Sequence, residues 1–211
     1  MGDYVTGLGA TDGATAPPEG ASVGYPQGKI EEYIGCDIVQ SHLHKVDLLC
    51  EATRIPLAAP SFDTVFSSQT IEHVAEHQEM VNEAFQLLKP NGYLILSGPF
   101  CWPLHEEPHD FFRFSKYGYA HILTKAGFRV IEIRPNGGMW AATGLLIIET
   151  LSNSRRARYW VSRFIAALFF RVRGPYLINK ALSTLDERDF NPVHTLNYVA
   201  VAQKPEAADG A

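Results

Sequence analysis

The sequence predicts a doubly wound α/β domain whose sheet is mainly parallel. The main observation is a strand–helix–strand pattern between residues 62 and 99. DTVFS at 63–67 and YLILS at 93–97 are short apolar or β-branched runs, which is typical of strands buried on both faces. The residues between them place apolar side chains largely at helical spacing and end in Pro90-Asn91-Gly92, which stops a helix. Such a unit makes two parallel strands joined by a right-handed crossover.

Further elements follow on both sides of this unit. EYIGCDI at 32–38 is predicted as a strand, and a helix at 117–126 precedes a strand at 128–133. LNYVAVA at 196–202 is predicted as the last strand. The segment 139–193 is predicted as a helical insertion within a domain that spans 29–203, and 204–211 as a disordered tail.

Length, composition and charge limit the function. A chain of 211 residues with 46% hydrophobic content suits one globular domain with a sizeable core. The net charge of -5 argues against a general nucleic-acid binder. Three cysteines without paired spacing are expected to be reduced thiols in a cytoplasmic protein. We expect no signal peptide and no membrane span.

Two stretches carry a family resemblance. FDTVFSSQTIEHV at 62–74 and LLKPNGYLILSGPF at 87–100 resemble class I S-adenosylmethionine-dependent methyltransferases of the type 11 branch. Asn91 stands where that branch usually has the first glycine of a pair. The resemblance runs from about residue 33 to 138. It implies S-adenosylmethionine as cofactor, an antiparallel last strand, and methyl transfer to a small-molecule, saccharide or lipid-linked acceptor.

The N-terminal segment departs from the family pattern. The resembled enzymes have a G-x-G turn after their first strand, and Gly7 and Gly9 have that spacing. No apolar strand precedes these glycines, however, and Pro17-Pro18 would interrupt the helix that should follow. We therefore expect the first strand and its glycine loop to be missing, and 1–28 to be a flexible tail. The alternative function is a degenerate methyltransferase fold that binds a partner without catalysis.

The resemblance implies a set of cofactor-binding residues near the ends of the predicted strands. They are Asp37, Glu51, Ala52, Ser67, Ser68 and Gln69. An acid at the end of the second strand can accept hydrogen bonds from both ribose hydroxyls. The pair 51–52 would line the adenine, and 67–69 would face the methionine part and the methyl group. The alternative for these positions is solvent-facing acids and a polar surface loop.

A polar and aromatic stretch, FCWPLHEEPHDFFRFSKYGY at 100–119, follows the strand at 93–97. Aromatic walls with a few polar groups suit a small-molecule pocket. The predicted catalytic residues are His105 and His109 as candidate bases, with Asp110 orienting one of them. The predicted acceptor-binding residues are Trp102, Phe111 and Arg113. The alternative is a structural loop in which the aspartate and the arginine pair.

Two patterns allow other interpretations. His73, Glu76 and His77 match the H-x-x-E-H spacing of some zinc proteases, but the methyltransferase pattern explains this segment, so no metal is predicted. The apolar run at 160–172 lies among the arginines of 155–173. It is interpreted as a helical cap, a lid, a dimer surface or a helix in peripheral contact with a membrane.

Overall fold

The computed structural model describes residues 6–12, 29–40, 44–154 and 158–206. Its strands are β1 (Thr6–Asp12), β2 (Lys29–Asp37), β3 (Leu48–Leu49), β4 (Phe62–Ser68), β5 (Leu88–Pro99), β6 (Arg129–Asn136) and β7 (Asn197–Gln203). Its α-helices are α1 (His77–Leu87), α2 (Lys116–Lys125), α3 (Met139–Ser154), α4 (Trp160–Arg171) and α5 (Gly174–Arg188). A short 3-10 helix covers Ile71–His73. None of the described helices is both long enough and apolar enough to cross a membrane.

The seven strands form one sheet in the order β3-β2-β1-β4-β5-β7-β6. β2 pairs with β3 and β4 pairs with β5 in parallel, and the last strand is antiparallel. This arrangement confirms the predicted α/β class and the antiparallel final strand. Helices α3, α4 and α5 occupy the segment predicted as a helical insertion.

Strand β1 is where the structure differs from the prediction. Residues 6–12 form a strand in the centre of the sheet, so this part of the segment is not a tail and the position of the first strand is filled. β1 runs antiparallel to both β2 and β4. Gly7 and Gly9 lie inside the strand and pair with both neighbours, so they do not form a glycine turn after it. Residues 13–28, also assigned to the tail, lie outside the described residues.

The chain divides into two compact units. The first comprises the described residues up to 98, those of 106–134 and those from 199 onwards. In its core, α1 buries its apolar face, with Val81 and Leu87 almost inaccessible, and the sheet contributes Val65, Leu94 and Leu96. This is the burial that the helical spacing at 77–87 and the apolar strands predict.

Lys204, which follows β7, is hydrogen-bonded within this first unit. Its ammonium group donates hydrogen bonds of 2.7 Å to the carbonyls of Phe85 and Leu88, at the C-terminal end of α1. A cation at this position satisfies carbonyls that have no partner within the helix. The predicted disordered tail therefore begins too early, because Lys204 is held in place. Residues 207–211 lie outside the described residues.

The second unit comprises residues 99–105 and 135–198. Asp186 of α5 is buried, and its carboxylate accepts from the backbone amides of Gly138, at 2.6 Å, and Trp140, at 3.2 Å. These amides belong to the first turn of α3, which otherwise lacks acceptors and favours a negative charge. A groove of about 250 Å³ lies between α3 and α5, with Leu145 and Leu182 among its lining residues.

Candidate active site

The carboxyl ends of four strands meet at one edge of the sheet. Gly7 of β1 pairs with Gly35 of β2 on one side and with Phe66 of β4 on the other. Because β2 and β4 both run against β1, they point the same way, and β3 and β5 run parallel to them. With strands about 4.8 Å apart, the ends of β2 and β4 lie about 10 Å from each other. Ligands of open α/β sheets bind beyond such an edge.

Asp37 is the last residue of β2 and lies at this edge. Its Oδ1 accepts a hydrogen bond of 3.1 Å from the amide of Val39, and its carbonyl accepts one of 2.9 Å from the amide of Cys50. No described group donates to Oδ2 of Asp37 within hydrogen-bonding distance. A carboxylate that is half-buried and fixed through one oxygen fits the ribose role predicted for it.

Glu51 and Ala52 follow β3 beside Asp37, and Glu51 is exposed. Ala52 instead lines a cavity between α1 and the sheet, together with the buried Ser67. This cavity has room for about one water molecule, so an adenine ring does not enter it. The Ser67 hydroxyl is buried without a hydrogen-bond partner in the described part of the chain. Adenine binding at 51–52 and cofactor binding at Ser67 therefore stay predictions.

The loop after β4 is tied to the end of β5. Ser97 Oγ donates to Ser68 Oγ at 3.0 Å, and the Gln69 amide donates to the Ser97 carbonyl at 3.0 Å. Gln69 has a φ of +54°, a left-handed conformation that residues other than glycine adopt at a cost. The surrounding hydrogen bonds hold this conformation, so the loop presents its backbone in one fixed form.

The segment 106–114 is anchored directly on the 3-10 helix that follows this loop. The amides of Phe111 and Phe112 approach the Glu72 carbonyl at 2.8 and 3.3 Å. The Nδ1 atom of His73 lies 2.6 Å from the His109 carbonyl. Because a carbonyl oxygen only accepts hydrogen bonds, His73 must carry its proton on Nδ1. The polar segment and the 3-10 helix that follows the loop after β4 therefore belong to one region.

A turn brings His109 to this position. The His109 amide donates to the Glu106 carbonyl at 3.0 Å, which closes a four-residue turn over 106–109. Pro108 lies within this turn. The His109 side chain is exposed, and its ring centroid lies 6.2 Å from that of Phe111, which is also exposed. Both side chains are accessible to an acceptor.

Asp110 and Arg113 form a bidentate ion pair. Arg113 Nη1 lies 2.6 Å from Asp110 Oδ1, and Nη2 lies 2.7 Å from Oδ2. The Asp110 side chain is only 1% exposed. This pair is the alternative that the sequence left open, and it holds both carboxylate oxygens against the guanidinium. The hydrogen bond to Asp110 raises the pKa of Arg113, so the arginine is always charged.

Phe112 and Phe114 are half-buried in an aromatic cluster. Their rings contact the His77 ring at centroid distances of 4.5 and 5.1 Å, and Phe114 also contacts Tyr119. These ring contacts hold the segment 106–114 against α1 and α2. Phe111, the aromatic residue predicted for the acceptor, is the exposed member of the run.

Trp102 and His105 belong to the second unit. Trp102 is exposed, and the Nδ1 atom of His105 lies 3.2 Å from the Pro103 carbonyl, in a hydrogen bond that fixes the ring. Their acceptor-binding and catalytic roles stay predictions, as do those of His109, Asp110, Phe111 and Arg113.

Glu72 and His73 are site residues to which the sequence assigned no role. Glu72 is fully buried, and this burial raises the pKa of its carboxyl group, whereas His73 and Arg113 oppose the shift. His73 Nε2 lies 3.8 Å from Glu72 Oε1. The signal available in the sequence is the Glu72-His73-Val74 triplet, which belongs to the family-like pattern of residues 62–74.

The geometry does not favour the zinc-protease interpretation. His73 lies in the 3-10 helix, whereas His77 begins α1. The two rings therefore do not share one helix face at i and i+4, which the motif requires. His73 faces the His109 carbonyl and His77 packs between two phenylalanine rings.

Gly98 allows β5 to pass close to Tyr119, so we expect Gly98→Ala to be destabilising. The added methyl group would lie 2.6 Å from the Tyr119 hydroxyl oxygen and 3.1 Å from Ile71 Cγ2. Both residues are fully buried and cannot move aside. Overpacking of this kind lowers the free energy of unfolding by about 1–3 kcal/mol. Urea denaturation measures the change.

The Tyr119→Phe background is the control for this prediction. It removes the oxygen that the methyl group meets, so Gly98→Ala should cost less there than in the wild type. An equal cost in both backgrounds would contradict the close approach between Gly98 and the Tyr119 hydroxyl.

Comparison with known proteins gives relatives for part of the chain. The model of a family described as "Methyltransferase domain", of type 11, matches residues 18–96. A probable S-adenosylmethionine-dependent methyltransferase of Mycolicibacterium smegmatis is 26% identical over 72% of this chain and 62% of its own length. A protein named probable beta-galactosidase C of Neosartorya fischeri is 27% identical over 56% of this chain but only 14% of its own length. The chain thus spans less than two thirds of both relatives.

Among solved structures, a methyltransferase of Archaeoglobus fulgidus that depends on S-adenosylmethionine is 18% identical. The match covers 81% of this chain and 75% of that one, with a TM-score of 0.46. The family match and the methyltransferase relative agree with the predicted resemblance: residues 18–96 are similar to methyltransferase domains of type 11. The matched range contains all six predicted cofactor residues and ends before the segment 106–114.

Proposed function

We propose that this protein transfers a methyl group from S-adenosylmethionine to a small-molecule, saccharide or lipid-linked acceptor. The observation that carries the proposal is the shared sheet edge, where Asp37 ends β2, Glu51 follows β3 and the loop 67–69 lies at the end of β4. The segment 106–114 is hydrogen-bonded next to that loop. The predicted cofactor residues and the segment 106–114 therefore lie near each other within the first unit.

Each group has a defined task in this proposal. Asp37 binds the ribose, Glu51 and Ala52 lie beside the adenine, and the loop 67–69 faces the reacting end of the cofactor. The bound cofactor supplies an activated methyl group, so the protein mainly has to align the acceptor. His109, held through its own carbonyl by His73, accepts the proton of an oxygen or nitrogen acceptor. His105 is the second candidate for this base.

In this proposal the exposed aromatic residues bind the acceptor, and the Asp110–Arg113 ion pair holds the segment 106–114 in place. Phe111 and Trp102 are exposed aromatic side chains that can cover an apolar or saccharide surface. Both Nη atoms of Arg113 donate to Asp110, so this ion pair supports the position of the segment 106–114 and does not present a separate positive charge to an anionic acceptor. The net charge of the chain does not favour nucleic acid as the acceptor.

Two measurements test the function. Calorimetric titration with S-adenosylhomocysteine should give heat at millimolar ligand or below. Transfer of labelled methyl groups to a panel of phosphosugars, carboxylates and lipid-linked sugars should then be compared for His109→Ala and His105→Ala. Loss of turnover with unchanged affinity for S-adenosylhomocysteine in one variant identifies the base, and full activity in both leaves the segment as a wall of the pocket.

One observation favours a second candidate, a methyltransferase fold that binds a partner without catalysis. Gly7 and Gly9 lie inside β1, so the glycine turn that approaches the cofactor in the resembled family is not formed by them. This candidate predicts no heat with S-adenosylhomocysteine even at millimolar concentration.

A further inference from the structure

The outward face of α4 is apolar. Trp160, Phe164 and Leu168 follow one another at intervals of four residues and are 75, 61 and 52% exposed. Residues four apart share a helix face. Val161 and Ile165 are exposed beside them. We call these five residues the α4 stripe.

The opposite face of α4 is the one that packs against the protein. Ala166 is fully buried, and Ser162, Phe169 and Phe170 are half-buried. A surface helix of a globular protein normally places its polar side chains outward. Here large apolar side chains face outward as well, and a contiguous apolar patch of this kind marks an interaction surface.

The charge around the stripe shows what kind of partner fits. Residues 150–185 contain seven of the 18 lysines and arginines of the chain and none of its 23 acidic residues, although the net charge of the whole chain is -5. Arg158 precedes α4, Arg163 lies on it, and Arg171 and Arg173 follow its last apolar turn. These four side chains are exposed. The partner must therefore offer negative charge around an apolar centre.

A second copy of the chain does not meet this requirement. A two-fold contact through the stripe would bring the same arginines together, and the segment 150–185 has no acid to pair with them. An anionic lipid surface offers phosphate groups to the arginines and acyl chains to the apolar side chains. Trp160 and the exposed Tyr159 and Tyr176 are residue types that favour the boundary between headgroups and acyl chains.

We propose that α4 is a membrane-surface helix that binds anionic lipid bilayers. The α4 stripe enters the upper acyl region, and the arginines at both ends of the helix contact lipid phosphates. The helix lies in the plane of the surface. This assignment does not depend on the methyltransferase function, because it uses only residues of the second unit.

Flotation of the full chain with vesicles tests the proposal. The chain should float with vesicles made of equal parts phosphatidylcholine and phosphatidylglycerol, and should remain unbound with phosphatidylcholine alone. Added salt should weaken the binding, because it screens the arginines. Replacing Arg171 and Arg173 by glutamine should lower the partition coefficient about fivefold for each arginine.

The apolar contribution has its own variant and a matched control. The double variant Phe164→Ser with Leu168→Ser should lower partitioning at least about tenfold. Tyr117→Ser removes an exposed aromatic side chain from α2 in the first unit and should leave partitioning unchanged. Far-ultraviolet circular dichroism of each variant establishes that the chain remains folded.

Trp160 reports the position of the helix directly. In a Trp102→Phe, Trp140→Phe background, its fluorescence should shift to shorter wavelength with anionic vesicles and be quenched by brominated lipid. Unchanged fluorescence, or equal flotation of wild type and the Phe164→Ser, Leu168→Ser variant, would overturn the proposal. So would a chain that dimerises through the stripe in sedimentation velocity and does not bind anionic vesicles.

Discussion

Replacing Arg113 by alanine is expected to lower the free energy of unfolding by about 3–5 kcal/mol, because the change removes the guanidinium that pairs with both oxygens of a buried carboxylate. The Asp110 side chain is 1% exposed, and both of its oxygens accept from the Arg113 guanidinium. Without the arginine, the carboxylate either remains charged in a poorly solvated position or takes up a proton. Urea denaturation at neutral pH measures the loss.

Two further variants separate the contribution of the ion pair to stability from the contributions of the individual side chains. Arg113→Lys keeps the charge but loses the bidentate geometry, so its cost should lie between those of wild type and Arg113→Ala. The double variant Asp110→Asn with Arg113→Met removes both charges and should be more stable than Arg113→Ala alone. A loss of less than about 1 kcal/mol in Arg113→Ala, the value typical of an exposed pair, would contradict the burial of Asp110.

Asp37→Ala is expected to weaken binding of S-adenosylhomocysteine by about 1.5–3 kcal/mol, which corresponds to roughly 10–150-fold in the dissociation constant. The reason is the loss of charge-assisted hydrogen bonds from the ribose hydroxyls to a carboxylate that β2 and the Val39 amide hold in place. Titration calorimetry of wild type and variant gives the ratio.

Asp63→Ala is the matched control for this prediction. Asp63 is also an acid of the parallel strands, but it lies at the start of β4, away from the carboxyl edge, and pairs with Lys89 at 3.0 Å. Its removal should leave the affinity for S-adenosylhomocysteine unchanged. If Asp37→Ala bound as tightly as wild type, the ribose role of Asp37 would be wrong even though the protein binds the cofactor.

The sequence predicts the elements whose signals are local. The β4–α1–β5 unit could be predicted because apolar spacing, Pro90 and Gly92 all act within one or two turns of the residues they affect. Strand β1 could not be predicted in the same way. TGLGATD contains two glycines and only one large apolar residue, so its position depends on pairing with strands that follow much later in the chain.

The candidate site likewise contains contacts that the sequence alone does not indicate. Sheet topology predicts that the loop 67–69 and the segment after β5 share an edge. The contact between His73 and the His109 carbonyl joins residues 36 positions apart, and no sequence spacing indicates it. The complete burial of Glu72 is also invisible in the sequence, since an acid is expected at the surface. A helical cap, a lid, a dimer surface and a membrane contact are all compatible with the sequence of α4, because the exposure of its individual side chains is visible only in the structure.

The position of β1 has a consequence for handling the protein. This strand hydrogen-bonds to β2 on one side and to β4 on the other, and it connects the β3-β2 pair to the rest of the sheet. A shortened chain that lacks residues 6–12 would leave two interior strands with open backbone edges. Open edges of this kind pair with other chains and lead to aggregation. Although its sequence is only a weak signal for a strand, β1 therefore protects the sheet from self-association by covering these edges.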